Sequence, residues 1–263
     1  RTAVGVQLMT MFGSQWLANA GSTYEIEQSI RFNDNDSGYL YRTPSSASNR
    51  RTWTLSYWIK RANLGGFMNT FDARLDGDNY AKFQFHSGDY LQFLAETGGG
   101  GAYNLATTKL FRDPSAWYHI VLAVDTTQST TAADRVKIYV NGTQETSFIS
   151  ASYPAQNYDT FVNTTNGHAL AGNFGGAAFL DGYMAEINFI DGQQLDPSSF
   201  GEVNSDTGQW IAKEYSASYG TNGFYITGED SADLGADYSG NGNDFTSSGL
   251  AAADQMSDSP TNN

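Results

Sequence analysis

The sequence predicts an all-β protein built as a sandwich of two antiparallel sheets. The chain of 263 residues contains 16 Phe, 16 Tyr and 5 Trp, a composition that favours strands over helices. It contains 28 Gly but only 5 Pro, and its many Asn, Ser and Thr residues favour tight turns. Because there is no cysteine, no disulfide can staple the fold. Stability must therefore come from burial or from oligomerisation.

The clearest strand pattern lies in the middle of the chain. In residues 117–125, every second side chain from position 118 to position 124 falls on one apolar face. Residues 135–142 repeat the alternation and end in an Asn141-Gly142 turn. A hairpin with one wholly apolar face must bury that face against a second sheet, so a sandwich is expected.

The other strands show the same short alternations, bounded by Gly, Asp and Asn. They are predicted at residues 29–32, 39–41, 51–60, 66–72, 80–86, 90–95, 168–172 and 179–192. Residues 150–167 have no clear period and are interpreted as a long surface excursion, a feature that often carries binding function. Residues 195–200 predict a short helical turn capped by Asp196, with Pro197 at its first position.

Three parts are expected: an N-terminal arm (1–23), the sandwich (24–200) and an irregular acidic C-terminal extension (201–263). The extension holds ten acidic residues and one lysine, most of the net charge of −14. A field of this sign repels phosphate, so nucleic acid is not an expected partner. No apolar run approaches the roughly 20 residues of a membrane-spanning helix, so membrane insertion is not expected.

The arm carries an apolar pattern of its own. Leu8, Phe12 and Trp16 fit one helical face, although Gly5 and Gly13 weaken the helix. We interpret the arm as an anchor on a partner or a neighbouring subunit. A strand or coil that caps its own domain is the alternative.

Four segments together resemble a known superfamily: residues 52–60, 117–125, 136–142 and 181–187. On these segments the chain resembles laminin-G-like, concanavalin-A-like jelly-roll domains over residues 24–200. The resemblance implies a two-sheet antiparallel jelly-roll sandwich.

Further segments extend the resemblance to structural proteins of marine bacteriophages, of the tail-fibre or capsid-decoration type. They are residues 26–32, 42–50, 190–195, 218–225 and 237–245. This resemblance implies a virion protein exposed on the surface of the capsid or tail. Its implied partners are other virion proteins, copies of itself in a homo-oligomer, and host surface glycans. Several copies per particle are expected, since repetition gives weak sites avidity.

Catalytic residues are not expected. Jelly-roll glucanases use a strand of the form Glu-Ile-Asp-x-x-Glu, which Glu186 and the residues after it resemble. Here Asn188 replaces the middle Asp and Asp191 the last Glu. In a regular strand Asp191 points away from Glu186, and only a bulge would bring it back. His119 lies inside a strand and is interpreted as a hydrogen-bonded core or edge residue.

Calcium is the one cofactor that the sequence suggests, because laminin-G-like domains often hold an ion at a sandwich edge. Asp72, Asp76 and Asp78 are the favoured ligands, with a solvated turn as the alternative. The loop 237–244 also has alternating oxygen ligands, but Ser248 stands where an EF-hand has its bidentate Glu. The histidines are too widely spaced for a zinc signature.

Aromatic side chains beside amides and carboxylates predict glycan binding, because sugar faces stack on rings while polar groups pair with hydroxyls. The predicted residues are Tyr103, Asn104, Tyr153, Asn157, Tyr158 and Asp159. Packing of these rings into a neighbouring subunit is the alternative.

The sequence therefore predicts a non-enzymatic virion structural protein with a lectin-like domain, acting in particle assembly, decoration or attachment to host glycans. A free carbohydrate-binding module is the alternative, and a glycan hydrolase is a third hypothesis.

Overall fold

The computed structural model describes residues 24–262 and shows two antiparallel sheets packed as a sandwich. The strands in chain order are β1 (Ser29–Phe32), β2 (Tyr39–Arg42), β3 (Thr52–Arg61), β4 (Met68–Arg74), β5 (Tyr80–Phe85), β6 (Tyr90–Thr97), β7 (Gly100–Leu110), β8 (Tyr118–Asp125), β9 (Val136–Val140), β10 (Thr143–Gln144), β11 (Phe148–Ser152), β12 (Gly167–Leu170), β13 (Gly182–Asp191), β14 (Gly201–Val203), β15 (Trp210–Ala212), β16 (Phe224–Ile226), β17 (Thr246–Ser248) and β18 (Gln255–Met256). The predicted fold class is confirmed.

Short 3-10 helices connect some of these strands. Within the described residues they are Asp34–Asp36, Ala132–Arg135, Pro197–Ser199 and Ala252–Asp254. Asp196 caps the third of them by accepting a hydrogen bond from the Ser198 N–H, as predicted. No helix between residues 24 and 262 is both long and apolar enough to cross a membrane.

Each large sheet contains eight strands. The first has the order β10-β9-β8-β3-β13-β1-β18, and β16 pairs with β13. The second has the order β11-β7-β6-β5-β4-β12-β2-β17. Strands β14 and β15 form a separate two-stranded ribbon.

The main core lies between the two large sheets and is rich in aromatic rings. Alternate residues of β3 point into it, namely Trp53, Leu55, Tyr57 and Ile59. The Trp53 ring lies 5.9 Å from the ring of Phe93 on the opposite sheet. The alternation predicted for this strand is therefore confirmed, and it sets which residues face outward.

Strand β8 is buried on both faces. Ile120, Leu122 and Val124 point into the main core, whereas Val121 belongs to a second apolar cluster on the outer face of the first sheet. The strand pairs with β9 and so confirms the predicted hairpin. An outer face with this much apolar surface needs a cover of its own.

The C-terminal segment, here residues 200–262, supplies that cover. Phe200 and Tyr219 pack against Val121 and Ile190 on the outer face. The same segment adds β16 and β18 to the first sheet and β17 to the second. Its acidic residues are therefore carried on a chain segment that packs against the sandwich.

Residues 150–167 form the predicted surface excursion only in part: residues 155–157 and 159 are exposed outside any strand, whereas residues 162–164 are buried. The first part belongs to strand β11, and Thr160 and Asn163 are 1 % exposed. The Asn163 side-chain amide donates hydrogen bonds to Asp191 Oδ1 at 2.9 Å and to a main-chain carbonyl at 2.7 Å. This polar segment can be buried because its polar groups find partners inside the protein.

Asp254→Ala tests whether the C-terminal segment stabilises the sandwich. The buried Asp254 carboxylate accepts hydrogen bonds from the Arg31 guanidinium at 2.7 and 3.1 Å and from the Ala251 N–H at 2.9 Å. Removing it leaves these donors without their acceptor, so the free energy of unfolding should fall by about 1–3 kcal/mol. Urea denaturation measures this change.

The matched control is Asp206→Ala, an exposed aspartate of the same segment. It should change the free energy of unfolding by less than about 0.5 kcal/mol. Equal stabilities for Asp254→Ala and the wild type would contradict the structural role of the segment.

Candidate functional site

A groove of about 640 Å³ lies on the outer face of the first sheet. The sheet forms its floor, the ribbon β14–β15 and the turn between β9 and β10 form its walls, and Pro260 and Thr261 close one end. Among its thirteen lining residues are Trp58, Trp117 and Trp210, three of the five tryptophans in the chain. The groove therefore joins residues that are far apart in sequence.

Trp210 is clamped between the backbone of the β9–β10 turn and the first residue of strand β14. A Cβ atom added at Gly142 or at Gly201 would overlap the Trp210 ring, so both positions need glycine for the ring to fit. Gly142 also has a φ of +77°, which side-chain-bearing residues rarely adopt. The indole is held in one place before any ligand arrives.

His119 contacts the Trp210 ring in two ways. The Trp210 Nε1–H donates a hydrogen bond of 3.0 Å to His119 Nδ1, and the two rings stack at 5.9 Å between centroids. His119 also contacts Trp58, its cross-strand partner, at 5.0 Å between ring centroids. The two contacts put the indoles of Trp58 and Trp210 at most about 11 Å apart.

His119 is neutral in this position. It is 1 % exposed, and burial lowers its pKa to about 3. Because Nδ1 accepts the Trp210 N–H, the ring proton lies on Nε2 and is donated to Ser56 Oγ, 2.9 Å away. The sequence-based interpretation of His119 as a hydrogen-bonded core residue is confirmed. His119 also holds Trp210, which lines the groove.

Trp117 is fixed by a partly exposed ion pair. Its Nε1–H donates to Asp258 Oδ1 at 3.1 Å, and Asp258 Oδ2 pairs with Lys60 at 2.9 Å. Trp117 is 9 % exposed and Trp58 is 6 % exposed, so each presents only part of its ring to the groove. Their remaining surface packs with Ile26 and Ala212 in an apolar cluster.

The chemistry of the groove combines ring faces with neutral polar groups. Asn141, Thr143 and Gln209 are exposed at its walls. Amide and hydroxyl groups can pair with ligand hydroxyls, while indole rings cover the apolar side of a ligand. Such a surface is suited to a ligand that is apolar on one face and hydroxylated at its edges.

None of the glycan-binding residues predicted from sequence lies in this groove. Tyr103 is placed wrongly by the prediction: it belongs to β7, is 2 % exposed and points into the main core. The Tyr153 and Tyr158 rings are half-buried and pack against the same core. Their burial leaves little ring surface for a sugar.

The polar members of that predicted set are dispersed. Asn104 accepts a hydrogen bond from Gln92 on the second sheet, and Asp159 forms an exposed ion pair with Arg51 at 2.7 Å. Asn157 is exposed in a turn with a φ of +61°. The predicted anchoring residues Leu8, Phe12 and Trp16 lie outside the described residues.

The predicted calcium ligands are not brought together. Asp72 is fully buried in β4, where both carboxylate oxygens accept from the Arg74 guanidinium at 2.6 Å. Asp76 instead closes its turn by accepting from the Asp78 N–H and the Asn79 amide. Among residues 24–262, no three Asp, Glu or His side chains are grouped so that they could hold a metal ion.

The loop at 237–245 is built by hydrogen bonds between protein groups. Asp237 accepts the N–H groups of Tyr225, Ser239 and Asn243 at 2.8–2.9 Å. Asn243 in turn donates to the Gly223 carbonyl at 2.8 Å. The alternating oxygen ligands that resembled a calcium loop therefore pair with backbone groups of the C-terminal segment.

Glu186 lies at a β-bulge, where the pairing of β13 with β3 shifts register, and its φ is +52°. Its carboxylate accepts hydrogen bonds from the Tyr24 and Tyr225 hydroxyls at 2.6–2.8 Å, and burial raises its pKa. Asp191 accepts from Asn163 and from the Asn222 N–H instead. The bulge does not give these two carboxylates common partners.

Sequence reasoning missed the groove because its tryptophans belong to three separate elements. Trp58 falls within the predicted strand 51–60, and Trp117 begins the predicted central hairpin. Trp210 is the single tryptophan of the acidic extension. An isolated large ring in a polar segment was the one available indication that this segment packs on something apolar.

The class defined by these features is an all-β sandwich of two antiparallel sheets. Residues 33–197 match the concanavalin A-like lectin/glucanases superfamily, and the chain belongs to this family. No curated protein sequence matches the chain significantly.

The chain is also similar to several solved structures at low identity. Domains LG4-5 of the mouse laminin alpha1 chain share 15 % identity, with a TM-score of 0.46, covering 78 % of this chain and 48 % of that one. A heptameric SAP-like pentraxin from Limulus polyphemus shares 13 %, with a TM-score of 0.43 and coverage of 72 % and 94 %. The CBM40 of Ruminococcus gnavus IT-sialidase shares 11 %, with a TM-score of 0.44 and coverage of 66 % and 96 %. The chain thus spans about half the length of the laminin fragment.

The buried, neutral His119 makes the fold sensitive to acid. Its pKa is about 3 in the folded protein and 6.5 as an ordinary histidine, so between these values the unfolded chain binds the extra proton. Its contribution to stability is present in full above pH 6.5 and is lost as the pH falls toward 3. The expected slope is up to about 1.4 kcal/mol per pH unit.

His119→Gln should flatten that slope, measured by urea denaturation from pH 7 to pH 4, because glutamine does not titrate. The comparison variant is His86→Gln, since His86 is only partly buried beside Tyr90. A profile for His119→Gln that matches the wild type would contradict the buried neutral state.

Proposed function

We propose that the protein is a non-enzymatic glycan-binding protein and that the groove holding Trp58, Trp117 and Trp210 is its binding site. The observation that carries the proposal is the clamped Trp210 ring, whose indole N–H is held by a buried histidine. A ring fixed in this way binds without a further ordering cost, which favours affinity. The family of the chain, which includes lectins, supports the same assignment.

Binding without hydrolysis is supported by the carboxylates. A retaining glycosidase needs two carboxyl groups about 5 Å apart, flanking the scissile bond. Among residues 24–262 no carboxylate lines the groove, and the Glu186 and Asp191 carboxylates have separate sets of partners. The groove therefore offers a means of holding a sugar and no pair of acids for cleaving it.

We also propose that the protein acts in a bacteriophage particle, in assembly, decoration or attachment to host surface glycans. The support is the resemblance of residues 26–32, 218–225 and 237–245 to phage structural proteins. Repetition of the chain in a particle would convert a weak sugar site into firm attachment. A free carbohydrate-binding module is the alternative.

Trp210→Ala tests the site. Truncating a large ring at the centre of a binding surface costs about 2 kcal/mol or more, so the Kd for a bound glycan should rise roughly thirty-fold. The measurement is a glycan microarray with bacterial and algal polysaccharides, followed by calorimetry on the strongest hit. Thermal melting of the variant separates loss of binding from loss of folding.

Tyr238→Ala is the matched control, because Tyr238 is an exposed aromatic residue that does not line the groove. It should leave the Kd unchanged. If folded Trp210→Ala binds as tightly as the wild type, the groove is not the site, and an array with no bound glycan would overturn the proposed function.

The particle assignment has its own measurement. Mass spectrometry of purified particles of the phage that encodes the chain should find it in many copies per particle, and antibody against it should label the particle surface. Absence of the chain from purified particles would leave the free module as the function.

A further inference from the structure

We infer that the groove selects uncharged glycans over acidic ones. This inference rests on the proposed function and names the ligand class of the same site. The recognised ligand would be a neutral oligosaccharide, free of sialic acid, uronic acid and sulfate, with an apolar ring face and hydroxyl or acetamido groups at its edge.

The first reason is the lining itself. Within the part of the chain that the structure describes, all thirteen residues around the groove are uncharged, in a chain of which 16 % is charged. An acidic sugar group placed here would lose water and gain no cation, which makes its burial costly. A neutral hydroxyl loses less on transfer and can regain its hydrogen bonds from amide and hydroxyl side chains.

The second reason is that the lysines beside the groove are engaged elsewhere. Lys60 forms an ion pair at 2.9 Å with Asp258, the residue that accepts the Trp117 indole N–H. Lys213 follows the ribbon strand β15 and donates to the Ser198 carbonyl at 3.0 Å. Neither side chain is among the residues that line the groove.

The third reason is the long-range field. The chain carries a net charge of −14, so an anionic ligand is repelled as it approaches. The Asp258 carboxylate also lies beside the Trp117 ring, 3.1 Å from its Nε1. The long-range repulsion and the uncharged lining both disfavour binding of an anionic ligand.

The size of the groove favours a ligand of more than one sugar. A volume of about 640 Å³ lies within the range of pockets that hold drug-sized ligands, which are larger than a single sugar ring. An oligosaccharide is therefore the expected ligand.

The experiment compares matched pairs of oligosaccharides. Each pair has one backbone, such as a β-glucan or N-acetyllactosamine oligomer, in a neutral form and in a carboxylated, sulfated or sialylated form. We expect the neutral member to bind at least about tenfold more tightly, and its Kd to change less than about twofold between 0.05 and 0.5 M salt. The Trp210→Ala variant should lose this binding.

The outcomes separate the two proposals. Equal or tighter binding of acidic members that still depends on Trp210 would overturn neutral selectivity and leave the site standing. Binding that is independent of Trp210, or no binding by any pair, would overturn the proposed site and with it this inference.

A second variant tests the cause. Gln209→Lys places a cation on the exposed wall of the groove, and it should raise affinity for the acidic member by roughly tenfold in low salt. Thr246→Lys adds the same charge at an exposed position on β17 of the second sheet. An equal gain in both variants would show that net charge, and not the lining, sets the preference.

Discussion

The rest of the structure depends on one constraint: the first sheet is apolar on both of its faces. In strand β8 all six residues from His119 to Val124 are buried. A sheet of this kind cannot leave one face in water, in contrast to the usual antiparallel sheet with one solvated side. The second sheet covers the inner face, so the outer face must be covered by another part of the chain.

The C-terminal segment meets this requirement, and it leaves the groove where the cover is incomplete. Phe200 and Tyr219 close the surface over Val121 and Ile190. Toward Trp58 the ribbon β14–β15 stands above the sheet and contributes Trp210 as a wall. The site therefore arises from the way the outer face is covered, and its rings are rigid because they are also part of that packing.

Local patterns predicted the strands, and long-range contacts decided the site. The alternation of Trp53, Leu55 and Tyr57 requires no knowledge of partners, and it was correctly interpreted. The apolar run from Ile120 to Val124 also indicated burial on both faces, but only one face was used in the prediction.

At Tyr103 the local pattern gave the wrong prediction, because long-range strand pairing places this residue in the core. The glycines before it weaken the local strand pattern, yet pairing of β7 with β6 places Tyr103 beside Ala95 and turns its ring into the core. The groove could not be predicted because Trp58, Trp117 and Trp210 meet only after the C-terminal segment has folded back over the sheet. No spacing in the sequence encodes that meeting.

Residues 218–225 and 237–245 lie beyond the matched family region and have a physical role in this arrangement. Asp237 holds the Tyr225 N–H at 2.8 Å, and Asn241 and Asn243 hold the Gly223 carbonyl at 2.9 and 2.8 Å. These bonds tie the loop 237–245 to the segment 218–225, which carries Tyr219 of the outer cover. The two segments therefore fasten the cover to the sheet. Since the same cover contributes the Trp210 wall, the packing that buries the outer face of the sheet also forms the groove.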